Sequence, residues 1–160
     1  MSVLTRYKWF LWIFSHFKVP MIGYLAPKLC SIDDNEVVIK IPLKRRSKNH
    51  LHSMYFGALG VGADLAGGLH AFYHAHKQNV QVSLAFKSFE AQFLKRPEAD
   101  VYFICSMGNI VKDMISSSLQ RNERVNQVLD ISACVHYPQQ SEEVAKFKLE
   151  LSLRVTSPKS

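Results

Sequence analysis

Met54-Tyr-Phe-Gly-Ala-Leu-Gly-Val-Gly-Ala-Asp-Leu-Ala-Gly-Gly-Leu-His-Ala-Phe-Tyr-His-Ala-His76 is the stretch whose reading decides the fold. Leu59, Gly62, Ala63, Ala66, Leu69, Ala71, Phe72 and Tyr73 recur at roughly helical spacing, and nearly every face is apolar or small. That pattern predicts one long helix enclosed by protein. Its propensity is poor, because Gly57, Gly60, Gly62, Gly67 and Gly68 are five of the seven glycines, each costing about 0.8–1 kcal/mol against Ala in a helix interior. So many small residues imply close approach of another backbone. One carboxylate, Asp64, interrupts the apolar run. It is costly to bury unless hydrogen-bonded, paired or functional.

Working outward, Val37, Ile39, Ile41 and Leu43 alternate with Lys40 and Lys44, which predicts a half-buried strand over Glu36–Arg46. Pro42 implies an edge or irregular ladder there. Beyond the helix, Val80, Val82, Leu84 and Phe86 alternate until the phase switches to Phe89, Ala91 and Phe93, so a β-bulge is expected at Lys87 or Ser88. Leu94-Lys95-Arg96-Pro97 ends that strand. Asp100–Met107 is the next strand, and Gly108-Asn109 introduces a helix over Ile110–Gln120 with Ile110, Val111, Met114, Ile115 and Leu119 as its apolar side. Val125–Tyr137 and Val144–Val155 form an antiparallel hairpin about Pro138-Gln139-Gln140-Ser141. Its inward residues are Gln127, Leu129, Ile131, Ala133 and Val135 on one strand and Ala145, Phe147, Leu149, Leu151 and Leu153 on the other.

The N-terminal stretch Thr5–Lys18 is dense in Trp and Phe, with Arg6, Lys8 and Lys18 flanking them. The uninterrupted apolar run Trp9–Phe14 is short for a signal peptide and far below the roughly 20 residues that span a bilayer. Two placements stay open: a helix packed outside the core or at a subunit contact, or an interfacial anchor with Trp and Lys at headgroup level. Pro20 and Pro27 are expected to mark irregular chain.

The 160 residues are read as one domain, 1–160, with residues 1–19 as a helical extension and 20–156 as the core. A hydrophobic content of 48% excludes a largely disordered chain. The formal charge of +7 favours anionic partners such as nucleic acid, an acidic membrane or a phosphate-bearing ligand. Basic residues are scattered without an aromatic-basic motif, so nucleic acid is not expected. Cys30, Cys105 and Cys134 are odd in number and lack metal spacing, which fits a reducing cytoplasm with neither disulfides nor zinc. His70 and His74 have i, i+4 spacing, but polar side chains near a helix C-terminus need no metal.

The element order places an antiparallel sheet around one long helix, an α+β architecture of the hotdog type with an added N-terminal helix. Arg45-Arg46-Ser47-Lys48-Asn49, Met54-Tyr55-Phe56-Gly57-Ala58-Leu59, Ala63-Asp64-Leu65-Ala66-Gly67-Gly68 and Phe93-Leu94-Lys95-Arg96-Pro97-Glu98-Ala99-Asp100 resemble the hotdog thioesterase superfamily. The nearest branch is the phenylacetate-pathway type, together with a related bacterial group of unassigned function. The resemblance covers about residues 20–156.

It implies an acyl-CoA thioesterase that needs no further cofactor, working as a homodimer, with tetramers as a further possibility, and with sites at the subunit boundary. Asp64 stands where the superfamily carries its base or nucleophile. Gly57 lies at the helix start, where free N–H groups can meet a developing oxyanion. Asn49 matches a polar residue that fixes the carbonyl or the water. Tyr55, Phe56, Arg45, Arg46, Lys95 and Arg96 are the expected ligand contacts, the cations serving the CoA phosphates. The sequence departs from the superfamily in one place: Tyr55, Phe56 and Gly57 replace a His-Gly-Gly turn, and His52 lies three residues too early. Either the loop is longer and His52 takes the role, or this branch works without a histidine, or the chain is a non-catalytic acyl-binding dimer. Localisation follows as cytoplasmic, or peripheral to a membrane through the aromatic helix.

Overall fold

The computed structural model describes residues 2–158; Met1 and residues 159–160, at the two ends of the expected domain 1–160, lie outside the described residues. Ser2 caps α1, Val3–Ile13, by accepting a hydrogen bond from the Thr5 N–H at 3.2 Å, which satisfies one orphan donor of the helix start. The helix continues as a wider π-type turn over Phe14–Lys18, and α2 follows at Pro20–Tyr24. Pro20, expected to mark irregular chain, opens α2 instead, because a proline at a helix start has no needed N–H to lose.

β1 (Lys28–Ile32) and β2 (Val37–Ile41) pair antiparallel. α3 (Phe56–Lys77), β3 (Val80–Phe93), β4 (Val101–Cys105), α4 (Gly108–Arg121), β5 (Val125–Val135) and β6 (Glu142–Pro158) complete the chain. The strands form one six-stranded antiparallel sheet in the order β1-β2-β4-β5-β6-β3. α3 packs along its inner face, giving the expected hotdog architecture. The β3–β6 ladder slips between Phe86 and Ser88, which is the bulge predicted at Lys87 or Ser88. In the β5–β6 hairpin Leu129 faces Leu149 and Ile131 faces Phe147, as the alternation requires.

Four expectations need correction. What approaches the α3 glycines is aromatic rings: a methyl group on Gly62 would overlap Phe103, and Gly67 and Gly68 face Phe86. A second backbone is not what they admit. β2 is interior, flanked by β1 and β4, and stops at Ile41, so Pro42 falls beyond the ladder where no N–H is needed. On α4, Val111, Met114 and Ile115 point inward, but Ile110 and Leu119 are exposed. Ser118 is the buried residue there, donating to the Glu123 carbonyl at 2.6 Å and accepting from the Val155 N–H at 3.0 Å. Gln127, expected inward, is also exposed.

The N-terminal helix covers the side of α3 that the sheet leaves open. Tyr7 and Leu11 are buried beneath it. The Phe10 and Phe14 rings lie 5.2 Å and 6.0 Å from Phe72, and Tyr7 lies 5.3 Å from Tyr73. Among the described residues no helix is long and apolar enough to cross a membrane.

The other end of α3 is tied to the β1–β2 turn. His70 Nε2 donates to the Asp33 carbonyl at 3.2 Å and His74 Nε2 donates to the Asp34 carbonyl at 3.0 Å. Asp34 Oδ1 accepts from the Tyr73 hydroxyl at 2.7 Å and from Lys77 Nζ at 2.5 Å. Burial, reinforced by the neighbouring His74, holds the His70 imidazole down to about 4. The unfolded chain therefore takes up this proton first as pH falls, so the stability is complete above the unfolded value of about 6.5 and is lost toward 4. The melting temperature should fall steadily from pH 7 to pH 4.5. His70→Gln, which keeps an N–H donor, should flatten that slope, and an equal slope in both proteins would exclude the imidazole as its source.

Candidate active site

Asp64 lies seven residues, or two helical turns, beyond Gly57 and on the same face of α3. Its carboxylate enters a crevice of about 50 Å³. Phe10 and Phe14 close this crevice from the N-terminal helix, Gly68 and Phe72 form its floor, and Leu84 of β3 forms one wall. That volume has room for water but not for an acyl chain. Among the described residues no donor reaches the carboxylate, and burial alone pushes its carboxyl above the ordinary range. A carboxylate so placed is a stronger base than one in water and is free to meet an incoming proton.

At the start of α3, Tyr55 supplies no side-chain cap. The N–H groups of Ala58 and Leu59 reach the Tyr55 carbonyl at 2.9 Å and 3.2 Å. Those of Phe56 and Gly57 have no acceptor among the described residues. They stand at the positive end of the helix dipole, where anionic oxygen is favoured. The Tyr55 ring lies over Gly57 so closely that an added methyl group would strike it. Tyr55 and Phe56 are exposed, their rings 4.7 Å apart, and Phe56 lies 6.4 Å from Phe93 at the end of β3.

The loop before the helix folds back on itself. Asn49 Oδ1 accepts from the N–H groups of Leu51 and Ser53 at 2.9 Å and 3.2 Å, and from the Ser53 hydroxyl at 3.2 Å. This commits its oxygen to the loop and leaves Nδ2 as the group available to a ligand. His52 is exposed, with φ of 61° in the left-handed region. Its place is the tip of this loop, away from the Asp64 crevice. Hydrogen bonds from Tyr55 N to Ser47 O and from Met54 N to Pro97 O, both 2.8 Å, clamp the basic loop and the end of β3 onto the helix start. Arg45 is exposed there, whereas Arg46 stacks over Tyr24 at 5.1 Å. Lys95 pairs with Glu142, and Arg96 with Glu98 at 3.8 Å.

The structure thus gathers Gly57, Tyr55, Phe56, Asn49 and the expected cations at one end of α3, and sets Asp64 apart in the crevice. Phe10 and Phe14, which close that crevice, were not among the sequence candidates. The aromatic density of Trp9–Phe17 was the available signal, but it does not say which ring turns inward.

Residues 7–152 match the family described as a domain of unknown function, DUF4442, and the chain belongs to that family. A search of the curated proteins found no match. Among solved structures, a Chlorobaculum tepidum protein of unknown function superposes with a TM-score of 0.79 at 14% identity, covering 96% of this chain and 95% of its own. A Shewanella oneidensis protein, provisionally named a thioesterase, superposes with a TM-score of 0.77 at 17% identity, covering 94% and 96%. A Pseudomonas aeruginosa protein of unknown function, also provisionally named a thioesterase, gives 0.74 at 17%, covering 98% and 99%. The chain shares with these structures the hotdog fold, one antiparallel sheet wrapped around a long helix.

The isolation of Asp64 has a thermodynamic consequence. A carboxyl raised in the folded state costs stability as pH rises through its folded value, and the full cost is present at pH 7. Asp64→Asn should therefore raise the melting temperature at pH 7. A lower melting temperature would mean that the carboxylate has a stabilising partner.

Proposed function

We propose that this DUF4442 member hydrolyses an acyl thioester of coenzyme A at a site shared by two copies of the chain. The observation that carries this reading is the pairing, on one face of α3, of an unpartnered carboxylate with two N–H groups that lack acceptors. A thioester hydrolase needs these two functions, a base and an oxyanion site.

The spacing argues that they serve different active sites. Gly57 and Asp64 are separated by about 10 Å along the helix, whereas a carbonyl oxygen and the base that activates its attacking water stand within about 7 Å. The separation favours presentation of the two groups to one carbonyl by different chains. β3 is a long strand with one open edge, a feature that pairing with a second copy removes. Antiparallel pairing about its middle would lay the Phe93 end of one β3 against the Val80 end of the other and set Leu84 of one opposite Phe89 of the other. The Phe89 ring lies beside Gly60, one turn from Gly57, and Leu84 walls the Asp64 crevice, so the start of α3 of the second copy would approach Asp64 of the first.

In the reaction, Asp64 takes a proton from water and the hydroxide adds to the thioester carbon. The carbonyl oxygen, now anionic, lies against the N–H groups of Phe56 and Gly57. The carbon–sulfur bond then breaks, and the departing thiolate recovers the proton from Asp64. Direct attack by the Asp64 carboxylate, through an anhydride that water opens, uses the same groups. Exposed Lys44 and Arg45, at the helix start, meet the CoA phosphates. The exposed position of His52 and the internal bonding of Asn49 favour a second reading, an acyl-binding dimer without turnover.

Thiol release across acyl-CoAs of different chain length separates the two. Asp64→Asn should lower turnover about 10²–10⁴-fold, and Gly57→Ala should lower it about 10²–10³-fold by crowding the oxyanion donors. Unfolding and refolding the two variants together should restore about a quarter of wild-type activity, because mixed dimers hold one intact site. No recovery would place both groups in one chain's site. No turnover by the wild type on any acyl-CoA would favour the binding reading.

A further inference from the structure

The outward face of the N-terminal helices is an apolar feature that the catalytic reading leaves unused. Phe17 is 71% exposed, Met21 67%, Trp9 57% and Trp12 49%. They are not scattered. Trp9 and Trp12 lie 5.6 Å apart and Trp12 and Phe17 lie 6.1 Å apart, so the rings form one connected cluster. The opposite side of the same helix is fully used, with Tyr7 and Leu11 buried. An exposed aromatic cluster of this extent marks an interaction surface.

The charge around it is of one sign. Residues 1–32 include Arg6, Lys8, Lys18 and Lys28 and contain no Asp or Glu. Between α1 and β1 runs a groove of about 730 Å³ whose lining includes Lys8, Trp12, Lys28, Lys40 and Arg46. Lys40 is engaged with Asp100 at 3.1 Å and Arg46 with the Tyr24 ring. Lys8 and Lys28 form no ion pair among the described residues.

We infer that this face docks on an anionic lipid membrane surface. Trp9, Trp12, Phe17 and Met21 enter the boundary between headgroups and acyl chains, where Trp is favoured, and Lys8 and Lys28 meet lipid phosphates from the groove. The protein lies on the bilayer, since no helix among the described residues can cross it. A second copy of the chain is the poorer occupant. A two-fold contact through this face would set its lysines near their own copies, with no carboxylate in the first 32 residues to offset them.

The test is co-sedimentation of the full chain with vesicles of phosphatidylcholine alone and of phosphatidylcholine mixed with phosphatidylglycerol. The wild type should bind the mixed vesicles, bind neutral vesicles at least about tenfold more weakly, and release the mixed vesicles in high salt. Trp12→Ala with Phe17→Ala, and separately Lys8→Gln with Lys28→Gln, should each weaken binding at least about tenfold. All these side chains are exposed, and circular dichroism of each variant checks that the fold is retained. The inference is overturned by folded wild type that stays in the supernatant, by equal binding to both vesicle types, or by variants that bind as the wild type does. It is equally overturned if the aromatic variant alters the oligomeric state and leaves vesicle binding unchanged, which would assign the face to a second copy.

Discussion

A helix that is apolar or small on nearly every face must be covered from every side, and most of this structure follows from that constraint on α3. The sheet covers one side with Phe86 and Phe103, whose rings settle where α3 carries glycine. It cannot reach the other side. Phe10, Leu11 and Phe14 of the N-terminal helix do so, and the seam between the two coverings is where Asp64 lies. Half-buried, largely apolar surroundings without a donor follow directly from closing an apolar seam over a carboxylate. Such an arrangement opposes folding, because the ionised carboxylate has no partner there.

The two ends of α3 are treated in opposite ways. At the C-terminal end, His70, His74, Tyr73 and Lys77 satisfy the β1–β2 turn through the Asp33 and Asp34 carbonyls and the Asp34 carboxylate. The Lys77 ammonium, followed by the Tyr73 hydroxyl, holds the Asp34 carboxyl down to about 2. At the N-terminal end nothing of the kind happens. Phe56 and Gly57 keep free N–H groups beneath exposed aromatic rings, beside a loop that Ser47 and Asn49 hold in shape. The helix is fixed at one end and left chemically open at the other.

Periodicity made the fold legible wherever it was clean. The long helix, the β5–β6 hairpin and even the bulge in β3 could be read from the spacing of apolar residues. β1 could not, because its ladder slips between Leu29 and Ser31 and the alternation of so short a strand is lost. In the N-terminal helix the obstacle was different: Trp and Phe occupy both faces, so hydrophobicity cannot tell Phe10 and Phe14, turned to Phe72, from Trp9 and Phe17, turned outward. Candidate site residues were legible as residue types and not as partners. Asn49 showed its turn chemistry in the sequence. The pairing of Lys95 with Glu142 depends on the β3–β6 ladder and is visible only in three dimensions. The isolation of Asp64 is of the same kind, since it is made by a helix more than fifty positions earlier.

A lone, desolvated carboxylate is the claim on which the rest depends, and its titration can be observed directly. In protein labelled with ¹³C at aspartate carboxyl carbons, the Asp64 signal is assigned as the one missing from Asp64→Asn and followed from acid to neutral pH. The account predicts a midpoint above the ordinary aspartate value of about 3.9, with burial as the cause. A midpoint at or below that value would show that Asp64 is hydrated or paired, and would contradict its role as the base.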